Sequence, residues 1–188
     1  MNTVVVRRDG SLHGGNTDYV GVLRVLQRKL TLKGSRVLIY GAGGSARAAA
    51  FALVHAGGQV SICARRESAA KSLARAAGAE AISRGSLRSQ KFDVVLNATP
   101  IGMYPKHGAS PLEARELNCR VVMDLVYRPQ RTELLRMAER KGIATVSGAE
   151  MFLAQGFAQW EIWLGIRAPE AVMRKAVLRA LQTADAAH

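Results

Sequence analysis

Apolar residues along this chain come in two rhythms. Short unbroken runs, such as Val37-Leu38-Ile39-Tyr40, Val94-Val95-Leu96 and Val121-Val122-Met123, alternate with longer stretches whose apolar positions recur at helical spacing. Unbroken runs of this length are the pattern of strands buried on both faces. The pattern predicts strands over residues 37–40, 59–64, 80–82, 92–97, 121–124 and 144–146. Helices are predicted over 43–56, 67–77 and 132–141, then over 149–164 and 169–184, with Pro169 in the first turn of the last. Such alternation predicts an α/β fold, a doubly wound and mostly parallel sheet with terminal helices.

A different pattern precedes it. Val4-Val5-Val6, the turn pair Asp9-Gly10 and Ser11-Leu12-His13 predict a hairpin over 3–14. A loop through Gly14 and Gly15 leads to a helix over 19–30, with Val22, Leu23, Leu26 and Leu30 on one face and Thr17 or Asp18 available to cap it. Residues 1–30 thus read as a lead-in, and 31–188 as the domain proper.

The first strand of the domain runs into Gly41-Ala42-Gly43-Gly44-Ser45-Ala46, a G-x-G-x-x-A sequence that opens an Ala-rich helix. Strand, glycine turn and helix in that order predict a Rossmann-like dinucleotide site. Gly41 permits the tight turn, and Gly43 lets backbone approach a pyrophosphate. Ala46 keeps the helix close to the strand, and the N–H groups of the helix terminus face the anion. An NAD site places a carboxylate at the end of the second strand, about 20 residues on, for the ribose 2′-hydroxyl. Here that strand ends Ala64-Arg65-Arg66. Two guanidiniums suit a 2′-phosphate, which favours NADP over NAD. Glu67 is adjacent, and its place at the start of a helix accounts for it.

Charge adds less than its size suggests. Lys and Arg number 27 against 14 Asp and Glu, a net charge of +13. The arginines are scattered and aromatic residues make up only 5%, which points to phosphorylated small molecules and not to nucleic acid. Cys63 and Cys119 form no C-x-x-C and are expected as buried reduced thiols, with no metal site. His13, His55, His107 and His188 have no partner spacing, and none is assigned a role. No signal-peptide pattern opens the sequence and no apolar run reaches membrane-spanning length, so a cytoplasmic protein without membrane contact is expected.

Four further stretches stand in a fixed order: Gly15-Asn16-Thr17-Asp18, Asn97-Ala98-Thr99-Pro100-Ile101-Gly102-Met103, Asp124-Leu125-Val126-Tyr127-Arg128-Pro129-Gln130-Arg131-Thr132 and Gly148-Ala149-Glu150-Met151-Phe152-Leu153-Ala154-Gln155-Gly156. With the glycine loop, they resemble the shikimate dehydrogenase family over nearly the whole chain. The resemblance implies NADP-dependent interconversion of 3-dehydroshikimate and shikimate in aromatic amino-acid biosynthesis. Asp18 falls on the family's catalytic aspartate, although the residues alone allow it a capping role. Asn16, Tyr127 and Gln155 fall on substrate-binding positions. The glycine loop 41–46, Ala64, Arg65, Arg66, Thr99, Pro100, Met103, Leu125, Gly148 and Met151 fall on the cofactor side, with the nicotinamide near Leu125, Gly148 and Met151.

Two departures qualify the resemblance. The usual Asn-Arg-Thr reads Ala64-Arg65-Arg66 here, and a later basic position of that motif falls on Ala69, leaving Arg66 or Lys71 to compensate. The family's amino-terminal substrate domain, with its paired serines and catalytic lysine, has no match. A substrate domain supplied in cis or in trans is therefore expected, with NADP binding but little turnover by these residues alone. Quinate as substrate and a non-catalytic NADP-binding module are the alternatives. Apolar faces around Trp160, Ile162, Trp163 and Leu164, and on the last helix, lead to the expectation of a homodimer.

Overall fold

A computed structural model describes residues 1–105 and 107–186; His188 lies outside the described residues. The central strand, β3 (Arg36–Tyr40), is buried on both faces from Val37 onward. Side chains alternate across it. Val37 and Ile39 enter one apolar layer with Val22, Leu26, Leu53 and Met151, while Leu38 and Tyr40 enter the other with Phe92, Leu112, Leu117 and Leu134.

Around β3, five more parallel strands complete the sheet: β4 (Gln59–Cys63), β5 (Glu80–Ala81), β6 (Val94–Asn97), β7 (Val121–Asp124) and β8 (Ala144–Val146). Their order is β5-β4-β3-β6-β7-β8. The chain winds outward to β5, returns past β3 and winds out again to β8. The reversal falls between β3 and β6, the place where open sheets of this kind form a ligand crevice. Register makes that edge even: Tyr40 pairs with both Cys63 and Asn97, and Asn97 with Asp124. The loops after all four strands therefore start at one level.

The helices follow the predicted alternation: α2 (Gly44–His55), α3 (Glu67–Ala77), α4 (Glu133–Arg140), α5 (Gly148–Leu164) and α6 (Glu170–Ala186). Ala46, Ala49 and Ala50 are fully buried, so α2 lies close against the sheet. Pro169 stands one residue before α6, its carbonyl accepting from Val172 N and Met173 N, and not in the first turn. Short 3-10 turns over Arg84–Ser89 and Ala114–Glu116 lie in linkers whose sequence predicts no element.

The lead-in hairpin forms as predicted, β1 (Thr3–Val6) against β2 (Leu12–Gly15) in antiparallel register. The following helix, α1 (Thr17–Gln27), differs from expectation at both ends. Asn16 is its cap, accepting from Asp18 N at 3.0 Å, so Thr17 and Asp18 are helical residues. An Asn oxygen reaches the second helical N–H directly, which makes it the stronger cap here. The helix closes three residues early, where Lys29 N and Leu30 N both turn back to Leu26 O. The hairpin is tied to α5 by Gln159 Nε2, which donates to Thr3 Oγ1 at 3.3 Å, and by Trp163 Nε1, which donates to Val4 O at 3.2 Å.

Both cysteines are free, Cys63 buried at the end of β4 and Cys119 partly buried ahead of β7. Burial raises both thiols, that of Cys119 to about 11. Among the described residues, no helix is long and apolar enough to cross a membrane.

Candidate functional site

Gly41 makes the turn out of β3 with φ +130°, and a Cβ there would lie 2.7 Å from Ala98 O. The two loops at the crevice approach so closely that only glycine fits. Gly43 and Gly44 are the reverse case, since a Cβ on either would meet nothing within 4 Å. Gly43 is the N-cap of α2 and has no side chain to satisfy the first N–H groups of the helix. Uncapped donors, an open approach and the helix dipole together form an anion cradle.

The cradle opens into a cleft of about 700 Å³. Gly41, Ala42 and Gly43 form one wall. Ala64, Arg65 and Arg66 form a second, and Ala98, Thr99 and Pro100 a third. Ile82, Ser83 and Arg84 close the far end. Arg65 and Arg66 are exposed at the rim. Glu67 is the first residue of α3, with Arg66 as its N-cap. The cleft has the anion donors and the cationic rim that an NADP molecule requires.

On the other side of the loop, Gly44 and Ser45 line a second depression with Asn16, Asp18, Tyr19 and Arg47, of about 450 Å³. The Asp18 carboxylate accepts from Asn2 Nδ2 at 3.0 Å. Asn2 also accepts from Thr17 N at 2.9 Å through its Oδ1. Asn2 therefore fixes both the first turn of α1 and the carboxylate on it. No motif marks it in the sequence, because its partners lie on another element.

The remaining candidates line neither depression. Gly148 is buried, and a Cβ on it would collide with the carbonyls of Val126 and Leu125, the latter at 2.6 Å. That glycine allows the start of α5 to seat on the loop after β7. Met151 is a core residue, Leu125 packs against the same core, and Met103 is exposed. Tyr127, exposed, stacks on Phe152 with centroids 5.1 Å apart. Gln155 accepts from Thr17 Oγ1 at 3.1 Å and donates to Phe152 O at 2.9 Å, joining α5 to the start of α1.

A buried network under these loops is not apparent in the sequence. Asp124 is fully buried at the end of β7. Its Oδ1 accepts from Asn97 Nδ2 at 2.8 Å and Val126 N at 3.0 Å, and its Oδ2 from Thr132 Oγ1 at 2.6 Å. Asn97 in turn accepts from Thr99 N and Thr99 Oγ1. Burial pushes the Asp124 carboxyl up to about 6, against the opposing pull of the bonds from Thr132, Val126 N and Asn97. The loops after β6 and β7 are thus held to one carboxyl group. Among the described residues, no group of His, Cys, Asp and Glu has the arrangement of a metal site.

Comparison with known proteins gives a consistent result. Residues 148–178 match the model of the shikimate 5'-dehydrogenase C-terminal domain. A shikimate dehydrogenase (NADP(+)) from Methanosarcina acetivorans is 37% identical over 97% of this chain and 69% of its own length. The crystal structure of shikimate 5-dehydrogenase from Thermus thermophilus in complex with NADP(H) and shikimate is 37% identical, with a TM-score of 0.85 over 95% of this chain and 67% of that one. Quinate dehydrogenase from Corynebacterium glutamicum in complex with NAD is 31% identical, with a TM-score of 0.82 over 94% of this chain and 66% of that one. The chain thus spans about two thirds of the length of the proteins it matches.

Proposed function

The chain belongs to the shikimate dehydrogenase family, and from that membership we propose that its residues form the NADP-binding portion of an enzyme interconverting 3-dehydroshikimate and shikimate. The observation that carries this reading is the uncapped glycine cradle opening onto a cleft with Arg65 and Arg66 at its rim. Bound NADP would supply the hydride acceptor and donor. The loop from Gly41 to Ala46 receives the pyrophosphate, and Arg65 and Arg66 receive a 2′-phosphate. Ala64, Thr99 and Pro100 bound the nucleotide. Met103, just past that loop, belongs to the cofactor side by the family resemblance, and the nicotinamide end lies toward Leu125, Gly148 and Met151.

Asp18 handles the proton of the reacting hydroxyl, held in place by Asn2. Asn16, Tyr127 and Gln155 offer donors and acceptors to a polyhydroxylated ring. Proton transfer in this scheme also needs an ammonium partner and a grip on the substrate carboxylate, which a substrate domain in cis or in trans provides. Two unpaired thiols fit a cytoplasmic setting.

Titration of the 188-residue chain with NADPH and NADH, followed by fluorescence of Trp160 and Trp163, tests the cofactor assignment. Tighter binding of NADPH is expected, with little shikimate turnover by these residues alone. Equal or tighter binding of NADH would reject the 2′-phosphate role of Arg65 and Arg66. It would favour the quinate reading, which the resemblance to an NAD-bound quinate dehydrogenase supports. Brisk turnover by the same 188 residues would reject the need for a substrate domain.

A further inference from the structure

Beyond Arg65 and Arg66, a third guanidinium faces the same cleft. Arg84 opens the 3-10 turn after β5 and lines the cleft beside Ser83. Its fork is fixed from below. Nε donates to Glu116 Oε1 at 3.1 Å and Nη2 to Glu116 Oε2 at 2.9 Å. Nη1 donates to Tyr40 Oη at 2.9 Å, and the guanidinium carbon stands 5.6 Å from the Tyr40 ring centroid. The Glu116 side chain is only 3% exposed against 48% for Arg84. Glu116 also accepts from Glu113 N at 2.7 Å, so its oxygens are engaged away from the cleft. The carboxylate lies under the guanidinium, and the cleft meets the cation.

Three of the five N–H donors of Arg84 serve Glu116 and Tyr40. The other two, one on each terminal nitrogen, remain for an incoming acceptor. Ordering a long arginine on binding normally costs side-chain entropy. Here the fold has already ordered it. Arg65, Tyr40 and Arg84 follow or end the three neighbouring strands β4, β3 and β5, which places the new cation at the ribose end of a nucleotide lying across the crevice. On the same wall, Ala69 carries no charge.

We propose that Arg84 is a third recognition residue for the 2′-phosphate of the adenine ribose, acting with Arg65 and Arg66 as a clamp of three guanidiniums. The inference rests on the NADP reading above. Because Glu116 balances the charge of Arg84, its contribution is directional, two aimed donors to phosphate oxygens. The consequence is selectivity for the phosphorylated coenzyme, and not a general attraction for anions.

Titrations of the full chain and its Arg84→Gln and Arg84→Lys variants with NADPH, NADH and adenosine 2′,5′-bisphosphate test this. Arg84→Gln is expected to weaken NADPH and the bisphosphate about tenfold or more, the loss of its charge-assisted bonds, and NADH less than about twofold. Arg84→Lys keeps a cation over Glu116 without the fork, so its fold survives if that of Arg84→Gln does not. It is expected to lose part of the NADPH preference. Equal weakening of NADPH and NADH in the lysine variant would assign Arg84 a structural role, and unchanged NADPH affinity would remove it from the site. Either result overturns the proposal. The NADP reading fails separately, if the unaltered chain binds NADPH no more tightly than NADH.

Discussion

Gly41 and Gly43 stand two residues apart in one loop, yet they are glycine for opposite reasons. Gly41→Ala puts a Cβ against Ala98 O in a left-handed conformation, and is expected to cost about 2 kcal/mol or more in urea unfolding. Gly43→Ala meets open space, so unfolding should move by less than about 1 kcal/mol while NADPH affinity falls, because the methyl group occupies the approach of the pyrophosphate. Asp124 separates geometry from charge in the same way. Its carboxyl is raised from 3.8 to about 6 by burial. The native state therefore holds its proton more tightly than the unfolded chain does. The resulting stabilisation is complete below about pH 4 and is lost as pH rises through about 6. Asp124→Asn keeps an oxygen for Asn97 and Val126 N and is expected to flatten stability between those limits relative to the native chain, read by thermal melts across pH. Asp124→Ala strands three buried donors and also removes this pH dependence, so it should destabilise by about 3 kcal/mol below about pH 4 and by less above about pH 6.

Among the elements, α5 ties together three separate parts of the fold. Its first residue seats on the loop after β7, its middle holds Thr17 through Gln155, and its end holds the hairpin through Trp163. Gly148→Ala is expected to lift that start from the carbonyls of Leu125 and Val126. It should lower the denaturant midpoint and, with it, NADPH affinity, the two falling together in one titration series. The helix itself was legible in the sequence, as were the hairpin and the runs of β3, β4, β6 and β7, because each is encoded by its own local rhythm. The glycine loop and the arginine pair were legible for the same reason, their parts being contiguous. Asn16 as the cap of α1 was missed because Thr17 and Asp18 offer equally good capping chemistry and only the backbone chooses among them. The Arg84–Glu116 pair joins two linkers 32 residues apart, and Asn97 and Asp124 meet across 27. Such contacts depend on strand order, which no local pattern states.

At the scale of the molecule, several large apolar side chains of the hairpin and of the last two helices face solvent. Ile162, Leu164, Ile166 and Val172 are each about half exposed or more, and Val6 and Leu12 of the hairpin are exposed as well. We propose that these residues associate with a substrate domain or with a second copy. Ile166→Glu combined with Val172→Glu is expected to shift sedimentation of the chain toward monomer without lowering its melting temperature, since neither residue is buried. The two thiols bear on the molecule as a whole in another way. A raised thiol hardly forms thiolate at neutral pH, so a buried or partly buried one reacts slowly with an alkylating reagent until its surroundings open. Cys63 ends β4 beside the cleft, and Cys119 stands just before β7, at the other end of the parallel strands. Alkylation at the two positions therefore times the opening of the two ends of the sheet's strands. A coenzyme in the cleft should slow the first clock and leave the second running.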